Sequence, residues 1–164
     1  MKKINILIVL VLSVLISNAQ IVYTDISPDF NVLLDNTTNT STNLFPVDMN
    51  NDGIEDYNFA WNLSEGSLRI TSTNPLNQMI IAGFNSVNGG SYLSIINTGN
   101  NISSTENFSS GIPFPVIKDS FFSNFQNFMN TNTYIGVRFE SSGQNYYGWI
   151  LVQFDINNFL VKEY

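Results

Sequence analysis

Tyr134-Ile135-Gly136-Val137-Arg138-Phe139 and Tyr146-Tyr147-Gly148-Trp149-Ile150-Leu151-Val152 stand on either side of Ser141, Ser142, Gly143 and Gln144, and no other feature of the chain constrains its fold as tightly. Two runs rich in β-branched and aromatic residues around a short Gly-bearing turn read as a β-hairpin. Side chains alternate across a strand, so Ile135, Val137 and Phe139 share one face while Tyr134 and Arg138 share the other. One side of the hairpin therefore reads as core.

The same signature recurs along the chain. Short runs of Val, Ile, Phe, Tyr and Trp alternate with clusters of Asn, Ser, Thr and Gly, which predicts strands near 21–25, 29–34, 43–48, 55–63, 67–72, 78–84, 91–97, 133–140, 145–154 and 158–162. That spacing belongs to a sandwich or barrel. A hydrophobic share of 43% over 164 residues is ample for one compact core. The expectation is an all-β, antiparallel β-sandwich, jelly-roll-like rather than immunoglobulin-like, forming a single domain over residues 20–164. No internal repeat of solenoid length is visible. The stretch 99–133 departs from the pattern: Phe121, Phe122, Phe125, Phe128 and Met129 have helical spacing behind Asp119, a residue suited to capping. One short helix near 119–130 is expected there, the alternative being an irregular crossover loop whose phenylalanines plug the core.

Lys2 and Lys3 precede an apolar stretch, 4–16, which leads to Ser17-Asn18-Ala19, a small-x-small cleavage pattern. Residues 1–19 read as a secretory signal peptide, because the stretch is shorter than the roughly 20 residues that span a bilayer. The expected location is outside the cytoplasm, extracellular or periplasmic, and no later segment is apolar enough to span. Cleavage after Ala19 would remove two of the six basic residues from a chain whose formal charge is -7. Nucleic acid is then not an expected partner, since phosphate binding needs a basic surface. The absence of cysteine excludes disulfides, thiolate metal sites and a lipid-modified cysteine behind the leader. A bound cation that recognises only the folded state is another source of stability.

One loop supplies a cation site. Asp48-Met49-Asn50-Asn51-Asp52-Gly53-Ile54-Glu55-Asp56 carries side-chain oxygens at positions one, three, five and nine, with glycine at six. Calcium takes six to eight hard oxygen ligands, and Asp48, Asn50, Asp52, the carbonyl of Ile54 and Asp56 would supply most of them, with water completing the shell. Gly53 permits the sharp turn. Position twelve, a bidentate Glu in an EF-hand, is Phe59 inside a strand-like run, so the loop is not an EF-hand. It resembles the D-x-[DN]-x-D-G-x-x-D calcium loops of thrombospondin type 3 repeats and integrin-type propeller repeats, a resemblance that implies an ion and neither a fold nor a partner. The alternative is an Asn-rich turn that merely joins two strands. If calcium binds, a structural role is expected, because one site without a helix pair has nothing to open.

No catalytic constellation stands out. Without histidine or cysteine, Ser-His-Asp and Cys-His mechanisms and histidine zinc sites are excluded. Gly83 to Gly90 match no phosphate loop. A glycosidase needs only two carboxylates, and Glu65, Glu106, Asp119, Glu140 and Asp155 lie outside the calcium loop, but no pattern pairs them. Trp61, Tyr146, Tyr147 and Trp149 are candidates for stacking on sugars, with core packing the expectation for most.

The hairpin also resembles a recurrent Y-x-G-[VL]-[RK]-F…Y-G-W hairpin of uncharacterised secreted proteins from Gram-negative bacteria, several of which carry an early Asp-Asn-Asp-Gly loop. This implies a secreted jelly-roll-like sandwich, often with a sorting tail; here the chain stops at Tyr164 and no separate sorting domain is expected. The resulting expectation is a secreted, calcium-binding, non-enzymatic extracellular or envelope protein of adhesive character. Its expected partners are calcium and either a glycan or another surface protein. A carbohydrate-binding module is the alternative, and a glycoside hydrolase-like enzyme the third reading.

Overall fold

A computed structural model describes residues 23–33, 42–62, 67–85, 90–110, 113–114, 116–117, 131–154 and 158–164. The expected hairpin is its centre. β11 (Asn132–Ser141) and β12 (Gln144–Phe154) pair antiparallel from Asn132 opposite Gln153 to Ser141 opposite Gln144. The two residues between them, Ser142 and Gly143, both have positive φ, 53° and 79°. That conformation matches the right-handed strand twist and explains why a glycine sits at the second position. Ile135, Val137 and Phe139 are buried on one face of β11, as the alternation requires.

Further strands extend this pair into a nine-stranded sheet. β13 (Asn158–Glu163) pairs with β12, and β1 (Asp25–Leu33) pairs with β13. On the other side β5 (Gln78–Asn85) pairs with β11 and with β6 (Gly90–Leu93). The short strands β7 (Ile95–Ile96), β8 (Phe108–Ser109) and β9 (Pro113–Phe114) attach to β11, β5 and β6, the last in parallel. A four-stranded sheet faces it, with β2 (Thr42–Val47), β3 (Tyr57–Asn62) and β4 (Ser67–Ser72) in sequence and β10 (Val116–Ile117) at the β4 edge.

The core lies between the sheets. Val47, Tyr57, Phe59 and Ile70 from the small sheet meet Ile135, Val137, Ile150, Val152, Phe159 and Val161 from the large one, and the Phe59 and Phe159 rings stand 5.1 Å apart. Each such side chain stabilises the fold by about 1.5–3 kcal/mol through removal of apolar surface from water. Tyr57 adds a polar tie: its buried hydroxyl approaches the carbonyls of Gln78 (3.0 Å) and Arg138 (2.7 Å) on the opposite sheet.

The architecture is the all-β, two-sheet sandwich expected from the sequence. The chain passes from the large sheet to the small one after β1, returns after β4, and visits the small sheet again at β10 before β11. The expected strand 29–34 falls in β1 as far as Leu33, but of the expected strand 21–25 only Asp25 belongs to β1, Tyr23 and Thr24 being in no strand; residues 21, 22 and 34 lie outside the described residues, and the β1 register shifts between Asp25 and Phe30. The expected strand 91–97 is divided between β6 and β7. The proposed signal peptide and the helix expected near 119–130 lie outside the described residues. Among the described residues no helix is long and apolar enough to cross a membrane.

Candidate metal centre

The loop 48–56 joins β2 to β3, at the end of the sandwich where the β11–β12 turn also lies. Met49 anchors it. Its side chain is 5% exposed, and its terminal methyl sits 2.8 Å from where a β-carbon on Gly148 would lie. A glycine on β12 therefore leaves the groove into which the loop's second residue fits.

The polar residues fold around their own backbone. Asp48 accepts hydrogen bonds from the N–H groups of Asp52 (3.2 Å) and Gly53 (2.7 Å), Asn50 Oδ1 accepts from Asp52 N–H (3.0 Å), and Asp52 Oδ1 accepts from Ile54 N–H (2.8 Å). Asn50 Nδ2 donates to Asp52 Oδ2 at 3.0 Å. Three of the sequence-predicted side chains thus gather on one short stretch of backbone. The turn needs positive φ at Asn51 (56°) and Gly53 (85°), and asparagine and glycine are the residues that accept it. Ile54, expected to contribute its carbonyl, has an exposed side chain.

Asp56 is placed differently. It is 6% exposed, its Oδ2 accepts from Met49 N–H (2.8 Å), and its Oδ1 accepts from Asn77 Nδ2 (2.9 Å). Asn77, 2% exposed, uses its own Oδ1 to accept from Glu140 N–H on β11 (2.9 Å). Thr73 closes the other side, its N–H donating to the Asp56 carbonyl (3.1 Å) and its hydroxyl to the Glu55 carbonyl. A buried relay from Asp56 through Asn77 to Glu140 therefore ties the loop of the small sheet to the large sheet. Burial raises the Asp56 carboxyl above its usual range, the Met49 and Asn77 hydrogen bonds oppose the shift, and the Asp48 and Asp52 charges add to it.

A cleft of about 520 Å³ opens beside the loop, with Asp52, Glu55, Asp56 and Glu140 among its lining and no lysine or arginine. Glu140, Asn77 and Thr73 were not legible as site residues, because each reaches the loop across the fold. The donor set consists of oxygens, the ligands that calcium takes. Each carboxylate oxygen that accepts one N–H retains a second lone pair, so the loop's internal hydrogen bonds and a cation are compatible. Among the described residues, no three acidic, histidine or cysteine side chains are grouped as a metal site. The fit is thus one of residue type, order and electrostatics, with Asp56 acting first as a buried anchor.

Of the carboxylates weighed for hydrolysis, Glu140 lines this cleft and takes a hydrogen bond from Gly143 N–H, while Glu106 belongs to the separate turn that starts at Ser103. Glu65, Asp119 and Asp155 lie outside the described residues. Of the aromatic candidates, Tyr146 stacks on Phe139 at 5.7 Å and Tyr147 meets Phe108 at 5.8 Å, yet both remain exposed by more than a third (40% and 36%). Trp149 is half-buried between Tyr134 and Tyr23, at 5.3 and 6.4 Å. The side chain of Trp61 lies outside the described residues. No protein-family model matches the chain, and no curated protein or solved structure matches it either.

Proposed function

We propose that this chain is an exported, non-enzymatic extracellular or envelope protein whose sandwich is stabilised by calcium at the loop 48–56. The supporting observation is the gathering of Asp48, Asn50 and Asp52 on the N–H groups of residues 52 to 54, with a buried carboxylate at Asp56 behind them. Asp52, Glu55, Asp56 and Glu140 line the adjoining cleft, which has no basic side chain. A divalent cation offsets their mutual repulsion and leaves the internal hydrogen bonds intact. The signal-peptide-like residues 1–19 support export. Calcium in this role clamps the β2–β3 connection, and through Asn77 it reinforces the junction between the sheets.

Calorimetric titration of calcium into chelator-stripped protein tests the reading, together with melting curves in calcium and in chelator. One saturable site is expected, with a gain of about 2.7 kcal/mol when free calcium is a hundredfold above Kd. Asp52→Ala, a change at an exposed position, should remove both the binding and the gain. Identical melting curves in calcium and chelator for the parent protein would overturn the assignment.

A further inference from the structure

We propose that the outer face of the large sheet carries a binding site for a neutral pyranose sugar, in the corner between the Trp149 and Tyr134 rings beside the turn 97–100. The inference does not depend on calcium at the loop 48–56, since the two places share no residue.

The corner follows from strand register. Trp149 on β12 stands opposite Gly136 on β11, so β11 itself places no side chain across from the indole. Tyr134, two residues along β11 on the same face, is its diagonal neighbour. The two rings meet edge to face, with centroids 5.3 Å apart and planes at 89°. Perpendicular rings form a floor and a wall. The space over Gly136 is filled by the ends of Ile80 and Ile96, and Ile96 continues into the lining of the cleft.

The remaining side is polar and uncharged. The turn 97–100 is closed by the Asn100 N–H donating to the Asn97 carbonyl (3.1 Å), with Gly99 in the left-handed region at φ 90°. It presents Asn97, Thr98 and Asn100 as exposed residues along the cleft. No hydrogen bond from a described residue engages these three side chains or the Trp149 indole N–H. Although the chain carries 13 acidic residues, none lines this cleft of about 200 Å³.

These properties select the ligand. A pyranose has a face of C–H bonds, which carry partial positive charge and rest on the negative face of an aromatic ring, and a rim of hydroxyls. Asparagine amides both donate to and accept from hydroxyls. The cleft is smaller than the roughly 300–1,000 Å³ typical of sites for drug-sized ligands, so one sugar ring is the unit it takes. Neutral lining in a strongly acidic protein disfavours uronic and sialic acids, which the surrounding charge repels.

Saturation-transfer NMR tests the site, with the methyl pyranosides of glucose, galactose, mannose and xylose, and glucuronate as the charged comparison. Transfer from the protein to the C–H protons of at least one neutral glycoside is expected, with none to glucuronate. Trp149→Ala should abolish it. Asn100→Ala, at an exposed turn position where folding is not at risk, should weaken it about tenfold, the effect of losing one hydrogen-bonding group. Absence of transfer to every neutral glycoside overturns the proposal. So does transfer that persists undiminished in both variants, which places the sugar elsewhere.

Discussion

The two ends of β11 carry opposite chemistry. At one end Glu140 joins Asp56 and Asn77 in a cleft of carboxylates and amides, organised by hydrogen bonds. At the other, Tyr134 meets Trp149 in a neutral corner organised by ring packing. The strand is common to both, so the difference arises from what each end receives from elsewhere in the chain. The acidic end receives a loop of the small sheet, docked by Met49 against Gly148. The aromatic end receives the turn 97–100, placed by the pairing of Ile95 and Ile96 with Ile135 and Tyr134. A shared strand thus lets one sandwich hold two unlike surfaces at its two ends.

The hydrogen-bonded character of the acidic end is the easiest part of this comparison to break. Asp56→Ala strands the buried Met49 N–H and the Asn77 amide, each a donor whose loss of a partner costs about 1–3 kcal/mol. A destabilisation of about 3 kcal/mol is expected in denaturant melts, in chelator as well as in calcium. If the variant unfolds at the parent's midpoint, the relay from Asp56 to Glu140 does not hold the sheets together.

A smaller effect concerns protons. Because the folded-state pKa of Asp56 lies above its unfolded value, the folded protein binds the proton more readily. This contribution to stability is fully present below the unfolded carboxylate range and is lost as pH rises through the raised folded value. In chelator, the melting temperature of the parent should therefore gain over that of Asp56→Ala as pH is lowered from neutral. In calcium the ion competes with the proton, and the gain should shrink. A parent-minus-variant difference that is flat with pH in chelator would show that the Met49 and Asn77 hydrogen bonds fully offset the burial.

The same contrast explains what could be read from the sequence. The loop 48–56 is contiguous, and its spacing of Asp48, Asn50, Asp52 and Gly53 dictates its turn locally, so these positions were legible. The two-sheet fold was legible because alternation in Ile135, Val137 and Phe139 reports burial directly. Asn77 was not, since a buried asparagine that bonds residues 21 and 63 positions away looks like any other turn residue in sequence. Glu140 was read only as one of the carboxylates outside the loop that no pattern pairs. Trp149 was legible as a strand residue but not as half of a corner, because Tyr134, Ile96 and Asn100 approach it only through pairing across the sheet.

The smallest expected effect is the coupling between the two ends. Glu140 and Tyr134 are six residues apart on β11, roughly 20 Å at about 3.3 Å per residue. Changes separated by more than about 7–10 Å without shared partners add to within about 0.5 kcal/mol. A double-mutant cycle of Asp52→Ala and Trp149→Ala, followed by denaturant melts in calcium, should therefore give an interaction energy no larger than that. Trp149→Ala should leave calcium affinity unchanged, and Asp52→Ala should leave the saturation transfer to methyl pyranosides unchanged. A coupling above about 1 kcal/mol would mean that β11 transmits a rearrangement from one end to the other. The two surfaces would then be parts of one calcium-dependent site, because only a shared two-state element links positions so far apart.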